Sequence, residues 1–463
     1  MSTKRLQRSQ NPSPIRAVSM SLLSLVQVVI YIQLFLFFYK TFLVPNYEYQ
    51  GFVFQIDSIY TLLVAIIWAA APSLIMPYQI GRPSAFVSWL LYLIVYIPSQ
   101  IILTFVVEDL QGQLLAYRAT LALGMFFLAL SPRLPPIQVP NLKLPSWFFN
   151  IALLMFAVIS YAYLFKVFGL QSFVTNLTDV YKVRLEARET IEAAGRIAGY
   201  LLRWLGSVIN SYFIIRGLVY RSPVFFLGII GQLLIFSFDA TKATLGSILL
   251  IVLIYFLFRH RAKICACSLS LVFSVAFVAS MAFDFITQSA SLTGLFFRRV
   301  FAVPGLLTGF YYEYFSSNPH FYWLHTTYAK ILGLSNLTNY PDYKGPGFLI
   351  GELFFRNPQG NANANLWADG FANAGLAGVV LVSLVLALYL WLYDSVASRK
   401  SKIIAYAIIA MPAFAVTNTS LLTSLLTHGL LVALFFMWLL PNEPQGDIAN
   451  AEYARYKHGN ASN

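Results

Sequence analysis

The chain has 463 residues, of which 59% are apolar and 11% charged, and its mean hydropathy is +0.69. Soluble globular proteins have roughly 45–50% apolar and about 25% charged residues, so this composition excludes a soluble protein and predicts an all-α, polytopic integral membrane protein with one membrane domain, residues 1–463. The formal net charge of +13 is partly explained by the basic cytoplasmic loops of membrane proteins, so no nucleic-acid partner is expected.

The first apolar stretch is predicted to be a retained membrane span. It follows Lys4, Arg5, Arg8 and Arg16, is too long for a signal-peptide core and lacks a small-residue cleavage site after it. Apolar windows of about 17 to 24 residues predict about twelve transmembrane helices in all. They start near Val18, Ser58, Ala85, Gln113, Trp147, Arg196, Pro223, Lys242, Ile264, Phe371, Lys402 and Leu421.

The charges of the short loops predict the orientation. An even number of spans places both termini on one side of the membrane, and basic residues in short loops mark the cytoplasmic side. The termini, including the polar tail 441–463, are therefore predicted to be cytoplasmic, and two long loops, 171–195 and 284–370, to lie outside. The basic residues that decide this include Arg82, Arg133, Arg221, Arg399 and Lys400.

The two cysteines, Cys265 and Cys267, lie two positions apart in an apolar run. On one helix they would point to different faces, so we expect no disulfide between them.

The first long loop carries arginines at helical spacing. Arg184, Arg188, Glu192 and Arg196 follow one another at intervals of four residues and would share a helix face that continues to Arg203. Two interpretations stay open. Glu192 neutralises its neighbours in an exposed ion-paired face, or Arg184 and Arg188 bind a phosphate or diphosphate, which a planar guanidinium suits well. In the second case Arg196 and Arg203 would line the same cavity.

The second long loop contains the candidate acid–base groups. Two short helices are predicted there, Leu295 to Tyr314 and Phe321 to Leu332, lying at the membrane surface because they are rich in aromatic residues. The residues of this loop also have simpler explanations. Its arginines can reach lipid headgroups, its histidines can make ordinary hydrogen bonds, and its aromatic residues can anchor the chain at the membrane interface. The candidates are Arg298 and Arg299 for an anion, Glu313 or His320 as a base that deprotonates a hydroxyl, and Tyr311 as a platform for a sugar.

The loop ends in an asparagine-rich stretch. Asn361, Asn363 and Asn365 offer hydrogen bonds just before the tenth predicted span, and Asp369 stands at its threshold. A helix cap explains Asp369 but not three asparagines. No spacing of paired metal ligands occurs, so no metal is expected. Close helix packing is predicted at Gly370, Gly375 and Gly378.

This arrangement resembles the Wzy-type O-antigen and oligosaccharide repeat-unit polymerases of bacterial inner membranes. The likeness covers most of the chain at the level of topology. The run from Trp367 to Gly378 looks like the small-residue stretch with which these polymerases re-enter the membrane. The family's motif of an Arg, ten residues and a Gly occurs in both long loops, as Arg184 to Gly195 and Arg298 to Gly309.

The resemblance implies a metal-independent glycosyltransferase without a cofactor, acting at the periplasmic face. The donor would be a glycan on undecaprenyl pyrophosphate and the acceptor a hydroxyl of a new lipid-linked repeat unit. Arg184, Arg188 and Arg298 would stabilise the departing diphosphate, and Asn361, Asn363 and Asn365 would bind sugar. A flippase and a chain-length regulator would be further partners.

Three alternatives remain. An O-antigen ligase shares the lipid carrier and differs in its acceptor. A polysaccharide flippase or transporter is expected to have inverted repeats and charges at mid-membrane, whereas the polar residues here cluster outside the spans. The third is an assembly protein whose loop binds a partner.

Overall fold

A computed structural model describes residues 14–442 except 57, 111, 141, 143, 170–185, 188, 192 and 260–263. This part of the chain is mostly helical and contains one pair of two-residue strands. The elements are α1 Pro14–Phe38, α2 Val44–Tyr47, α3 Ile59–Ala70, β1 Gln79–Ile80, α4 Pro83–Leu91, α5 Ile97–Val106, α6 Leu114–Leu130, α7 Ser146–Phe168, α8 Arg196–Trp204, α9 Asn210–Tyr220, α10 Val224–Asp239, α11 Lys242–Phe258, β2 Ile264–Cys265, α12 Ala266–Thr287, α13 Ser291–Thr293, α14 Val303–Phe315, α15 Thr327–Ile331, α16 Pro346–Phe355, α17 Leu366–Ala397, α18 Lys402–Ala415, α19 Leu421–Leu426 and α20 Leu430–Leu439.

Several helices are extended or joined by π-helical or 3-10 turns with no intervening loop. The π-helical turns are Tyr39–Leu43, Tyr92–Tyr96, Leu205–Ile209 and Gly294–Ala302, and the 3-10 turns are Glu48–Gln50, Ala71–Leu74, Ser131–Arg133 and Ser335–Leu337. The turn Tyr92–Tyr96 makes α4 and α5 one continuous rod, and Gly294–Ala302 joins α13 to α14.

Seven helical stretches of the described chain are long and apolar enough to cross a membrane. The prediction of an all-α membrane protein is thereby confirmed. A helix lies at each predicted span position, whereas twelve as the number of crossings, and the side on which each loop lies, stay predictions. The seven stretches are Ser19–Gln50, Pro83–Val106, Leu114–Arg133, Ser146–Phe168, Ala266–Thr287, Leu366–Ala397 and Leu421–Leu439.

The two strands fix one end of the helix bundle. β1 and β2 pair antiparallel, with Gln79 opposite Cys265 and Ile80 opposite Ile264. The rod α4–α5 starts directly after β1, and α12 starts directly after β2, so both run from this end of the bundle to the opposite end. Residues 288–365 follow α12 at that opposite end. We call these two ends the strand end and the loop end.

A disulfide joins Cys265 to Cys267, whose Cα atoms are 5.2 Å apart. The expectation of unpaired cysteines is wrong because Cys265 is not helical. It precedes α12 with an extended backbone, φ −65° and ψ 138°, and its side chain therefore turns back toward Cys267.

The segment 291–315 enters the bundle from the loop end. It first runs along α12 toward the strand end. The Thr293 amide donates to Asp284, near the loop end of α12, whereas Phe301 packs edge-on against Phe273, which lies nearer the strand end. It then rises along α5 until the Tyr312 hydroxyl reaches a residue beyond the end of α5. The predicted outer loop 284–370 therefore includes chain that lies between the helices.

The helix predicted at Leu295 to Tyr314 exists, but its predicted position at the membrane surface is wrong. Every residue of Val303–Tyr312 is buried. Gly305 allows this, because a Cβ there would lie 2.8 Å from the backbone of Pro98, and small residues let helices approach closely. The second predicted helix, Phe321 to Leu332, is reduced to Thr327–Ile331.

Helix α17 is a hairpin of two helices. Gly375 has φ 59° and ψ −145°, which separates a short helix, residues 366–373, from a long one, residues 376–397. The Trp367 indole N–H donates to Ser383 Oγ at 2.9 Å, although a straight helix would hold them about 24 Å apart. A Cβ on Gly378 would overlap the carbonyl oxygen of Gly370. Close packing is thus confirmed at Gly370 and Gly378, while Gly375 forms the turn.

Candidate functional site

The short helix 366–373 is the centre of the candidate site, and Asn365 anchors it. The Asn365 side chain accepts hydrogen bonds from the amides of Trp367 and Ala368 at 3.0 and 3.2 Å. Its Nδ2 donates to Pro304 O at 3.1 Å and Thr308 Oγ1 at 2.8 Å. Asn365 is fully buried, so it is a helix cap that ties the short helix to α14. This position does not fit its predicted sugar contact.

Asp369 lies one turn beyond the cap. The residue as a whole is 7% exposed, and its Oδ2 is buried with no close hydrogen bond from the described residues. The Trp323 indole and the Asn373 side chain both lie within hydrogen-bonding reach of this carboxyl. Buried polar groups are almost always hydrogen-bonded in native proteins. Trp323 and Asn373 therefore hold the Asp369 carboxyl in place at the short helix.

A tight turn, residues 320–323, covers the C-terminal end of the short helix. The Phe321 and Tyr322 amides donate to Ala372 O and Asn373 O, both at 2.9 Å, and the Trp323 amide donates to Asn373 Oδ1 at 2.8 Å. Tyr322 and Trp323 have φ of 50° and 56°. Two consecutive bulky residues in the left-handed region are strained, and such strain concentrates at functional sites.

His320 begins this turn and contacts the hairpin. A Cβ on Gly375 would lie 3.0 Å from His320 Nε2, and His320 Nδ1 is buried without a partner among the described residues. Burial lowers the pKa of His320, which favours the neutral imidazole that a general base requires. The structure thus brings His320 and Asp369, two sequence-predicted candidates, to one short helix.

Glu313 and Tyr311 point to different surroundings although they are neighbours on α14. Burial and the charges of Glu108 and Asp109 raise the pKa of Glu313, a half-buried group. Tyr311 is buried, and its hydroxyl donates to Ala362 O at 3.0 Å. Stacking of a sugar on the Tyr311 ring does not fit this position, because the ring lies inside the protein.

Arg298 is held by two residues of the segment that follows α1. Its guanidinium lies over the Tyr47 ring, 4.5 Å from the centroid, and Nη1 donates to Gln50 Oε1 at 2.8 Å. Nε is buried without a partner, and no described carboxylate forms an ion pair with this side chain. Arg299 is exposed. The positive charge of Arg298 is therefore positioned, and no acid of the described residues neutralises it.

Arg203 forms a second polar cluster. Its Nη1 lies 3.5 Å from Asp239 Oδ2, with 40% of the Arg203 side chain and 6% of the Asp239 side chain exposed. His428 lies close enough to interact electrostatically with Arg203. Asn210, Gln232 and Ser247 form a separate buried hydrogen-bonded chain. Asp239 therefore neutralises the charge of Arg203, and the predicted role of Arg203 in lining a substrate cavity stays a prediction.

The remaining predicted residues are placed as follows. Arg196, Asn361 and Asn363 are exposed. Arg184, Arg188 and Glu192 lie outside the described residues. The structure gives no contact between the Arg298 cluster and the Arg203 cluster within the described chain. Sequence reasoning missed Asp239, Tyr47 and Gln50; only Asp239 carried a signal, as an acid at the end of an apolar run.

His325 makes the loop end sensitive to acid. Burial and the nearby Lys330 charge lower the pKa of His325 to about 4, against about 6.5 in an unfolded chain. The unfolded chain therefore binds more protons below pH 6.5, and the native state loses up to about 1.4 kcal/mol per pH unit as pH falls toward 4. His325→Gln is expected to flatten this loss, as measured by thermal unfolding in detergent from pH 7 to about pH 4.5. An unchanged pH dependence would contradict this assignment.

The comparisons with known proteins identify no relative. The chain matches no family model, no curated protein and no solved structure. Within the described residues, no group of three or more His, Cys, Asp or Glu side chains converges. A functional proposal therefore depends on the geometry above and on the resemblance in topology and motifs.

Proposed function

We propose that the chain polymerises oligosaccharide repeat units linked to undecaprenyl pyrophosphate at the periplasmic face of a bacterial inner membrane, with both termini cytoplasmic. A hydroxyl of a new lipid-linked repeat unit attacks the anomeric carbon of the growing glycan. A glycosidic bond forms, the bond from that carbon to the diphosphate oxygen breaks, and the lipid diphosphate leaves with the electron pair. The proton of the hydroxyl passes to a base on the protein.

The observation that carries the proposal is the state of Arg298. A departing diphosphate gains negative charge, which fixed cationic donors stabilise in a site with little water. Arg298 is fixed by Tyr47 and Gln50, and no described acid neutralises it. An arginine that was ion-paired with an aspartate or glutamate of the protein would stabilise the departing diphosphate less.

Other residues fit this function. Asn361 and Asn363 are exposed at the loop end, where their amides can bind sugar hydroxyls. Arg184, Arg188, Arg196 and Arg299 are further candidates for the diphosphates of the two substrates. The lipid carrier and the bilayer are its partners under this proposal, together with a flippase and a chain-length regulator.

A deletion strain distinguishes the proposal from its main alternative. Loss of a polymerase leaves surface lipid capped with a single repeat unit, whereas loss of an O-antigen ligase leaves no capped lipid. We expect single-repeat capping on a gel of the surface glycolipids, with long chains restored by the wild-type gene. Uncapped lipid would favour the ligase, and an unchanged ladder would exclude both.

A further inference from the structure

We infer that the diphosphate of the lipid-linked substrate binds between Arg298 and the segment that follows the first apolar helix. This inference rests on the proposed function, and it adds Tyr47, Tyr49 and Gln50 to the site, none of which lies in either long loop. Tyr49 donates its hydroxyl hydrogen to the diphosphate, whereas Tyr47 and Gln50 position the guanidinium of Arg298.

A chain of hydrogen bonds leads from Arg298 to the surface. Arg298 Nη1 donates to Gln50 Oε1 at 2.8 Å, and Gln50 Nε2 donates to the Tyr49 hydroxyl at 3.0 Å. The Tyr49 oxygen is thus an acceptor in this chain, and no described residue accepts the hydrogen that it carries. Tyr49 is 79% exposed. Its hydroxyl therefore offers a donor, next to a positive charge, to an anion that arrives from outside.

Two glycines hold this segment against the chain that carries Arg298. Gly294 lies about one helical turn before Arg298, and the Tyr47 hydroxyl occupies the space that a Cβ on this glycine would need. Gly51 ends the 3-10 turn at φ 92°, and a Cβ there would lie 2.6 Å from Cζ of Phe310. Both contacts join the segment to the same helical stretch. Arg298 and its partners are therefore held in a fixed arrangement.

The charge and the position of the cluster suit a lipid diphosphate. Glu48 is exposed in the same turn, and within the described chain neither it nor another acid forms an ion pair with Arg298. The cluster lies at the end of the stretch Ser19–Gln50, which is long and apolar enough to cross a membrane. A diphosphate on an isoprenoid chain lies at this boundary of the bilayer, where a guanidinium and a hydroxyl can bind its oxygens.

One substitution separates this role from a structural one. Gln50→Glu keeps nearly the same shape and gives Arg298 a carboxylate in place of a neutral acceptor. The new ion pair would hold the two segments together at least as well, so Tm in detergent is expected to equal or exceed the wild-type value. The same carboxylate would neutralise Arg298 and repel a diphosphate, so binding is expected to fall.

The test is the binding of farnesyl diphosphate, a soluble isoprenoid diphosphate, to the full chain in nanodiscs of phosphatidylcholine, measured by calorimetry. Gln50→Glu is expected to weaken binding about 10²-fold. Tyr49→Phe is expected to weaken it about 10-fold, the usual effect of losing one hydrogen bond to a charged group. Tyr47→Leu removes the ring under the guanidinium and is expected to weaken binding about 5-fold.

Matched variants and ligands serve as controls. Tyr60→Phe removes the hydroxyl of another exposed tyrosine, at the start of α3, and Gln55→Glu adds a negative charge at an exposed glutamine of the same loop. Both are expected to bind farnesyl diphosphate as the wild type does. Inorganic diphosphate is expected to compete with the probe, whereas farnesol and phosphatidylglycerol are not.

The inference and the proposed function fail through different results. Wild-type affinity in both Gln50→Glu and Tyr49→Phe would overturn the inference, as would a wild-type protein that binds no farnesyl diphosphate or that binds phosphatidylglycerol in its place. The polymerase proposal would then still be judged by glycosidic bond formation in liposomes. If the variants lose binding as expected but the wild type forms no glycosidic bond, the proposed function fails and the diphosphate site stands.

Discussion

Arg298→Ala is expected to reduce polymerisation about 10²-fold, so that surface glycolipids carry mostly single repeat units. Removal of one positioned donor to a developing anion typically costs about 10²- to 10³-fold in rate. Arg298→Lys is expected to recover only part of the activity, because an ammonium cannot reproduce the planar stacking on Tyr47 together with the hydrogen bond to Gln50. Gel analysis of chain length in a complemented deletion strain measures the effect.

Arg216→Ala is the matched control. Arg216 also lies over tyrosine rings, 5.7 Å from Tyr212 and 5.2 Å from Tyr220, and donates one neutral hydrogen bond. It lies near the C-terminal end of α9, away from the Arg298 cluster. Its removal is expected to leave chain length unchanged at equal expression. Equal ladders from Arg298→Ala and wild type would contradict the role of Arg298.

Gly378→Ala is expected to destabilise the fold by about 3 kcal/mol or more and to abolish activity. The added methyl group would overlap the Gly370 carbonyl oxygen, and an overlap with backbone cannot be relieved by a rotamer change. Overpacking of this kind costs about 1–3 kcal/mol and occasionally more. Opening the hairpin would also displace Asp369 and the 320–323 turn. The measurement is Tm in detergent together with polymer length.

Gly246→Ala provides the comparison for this prediction. Gly246 lies within α11, and no heavy atom lies within 4 Å of a Cβ added there. The change is expected to leave Tm equal or slightly raised, because alanine favours helix by about 1 kcal/mol over glycine. Similar Tm values for the two alanine variants would show that the hairpin contact is not as close as described.

The membrane class and the helix positions could be predicted from the sequence because the apolar runs are long and separated by polar segments. Local patterns of this kind do not reveal where a segment goes in the bundle. The aromatic content of Leu295 to Tyr314 is typical of a surface helix, yet Gly305 places that helix against α5. The chain also reverses direction at Gly375, and the sequence does not predict this because the residues on both sides of Gly375 are apolar.

The candidate site was predicted in part. The sequence singled out Arg298, His320 and Asp369, and the structure places Asp369 on the short helix and His320 against Gly375, just beyond its end. The sequence alone does not show that Asn365 is the cap of the short helix, that Asp239 neutralises Arg203, or that Trp323 lies beside Asp369. These relations join residues far apart in the chain, and spacing along the sequence carries no information about them. The expectation that the two cysteines are unpaired is wrong for a local reason, because Cys265 lies before the helix and not within it.

The most direct test of the account uses the purified full chain in liposomes with the undecaprenyl-diphosphate oligosaccharide as its only substrate. The expected result is a ladder of lipid-linked glycans that lengthens by one repeat unit per step, with release of undecaprenyl diphosphate in equal amount and with both products reduced about 10²-fold in Arg298→Ala. A wild-type protein that is folded by Tm and leaves the oligosaccharide unchanged would contradict it.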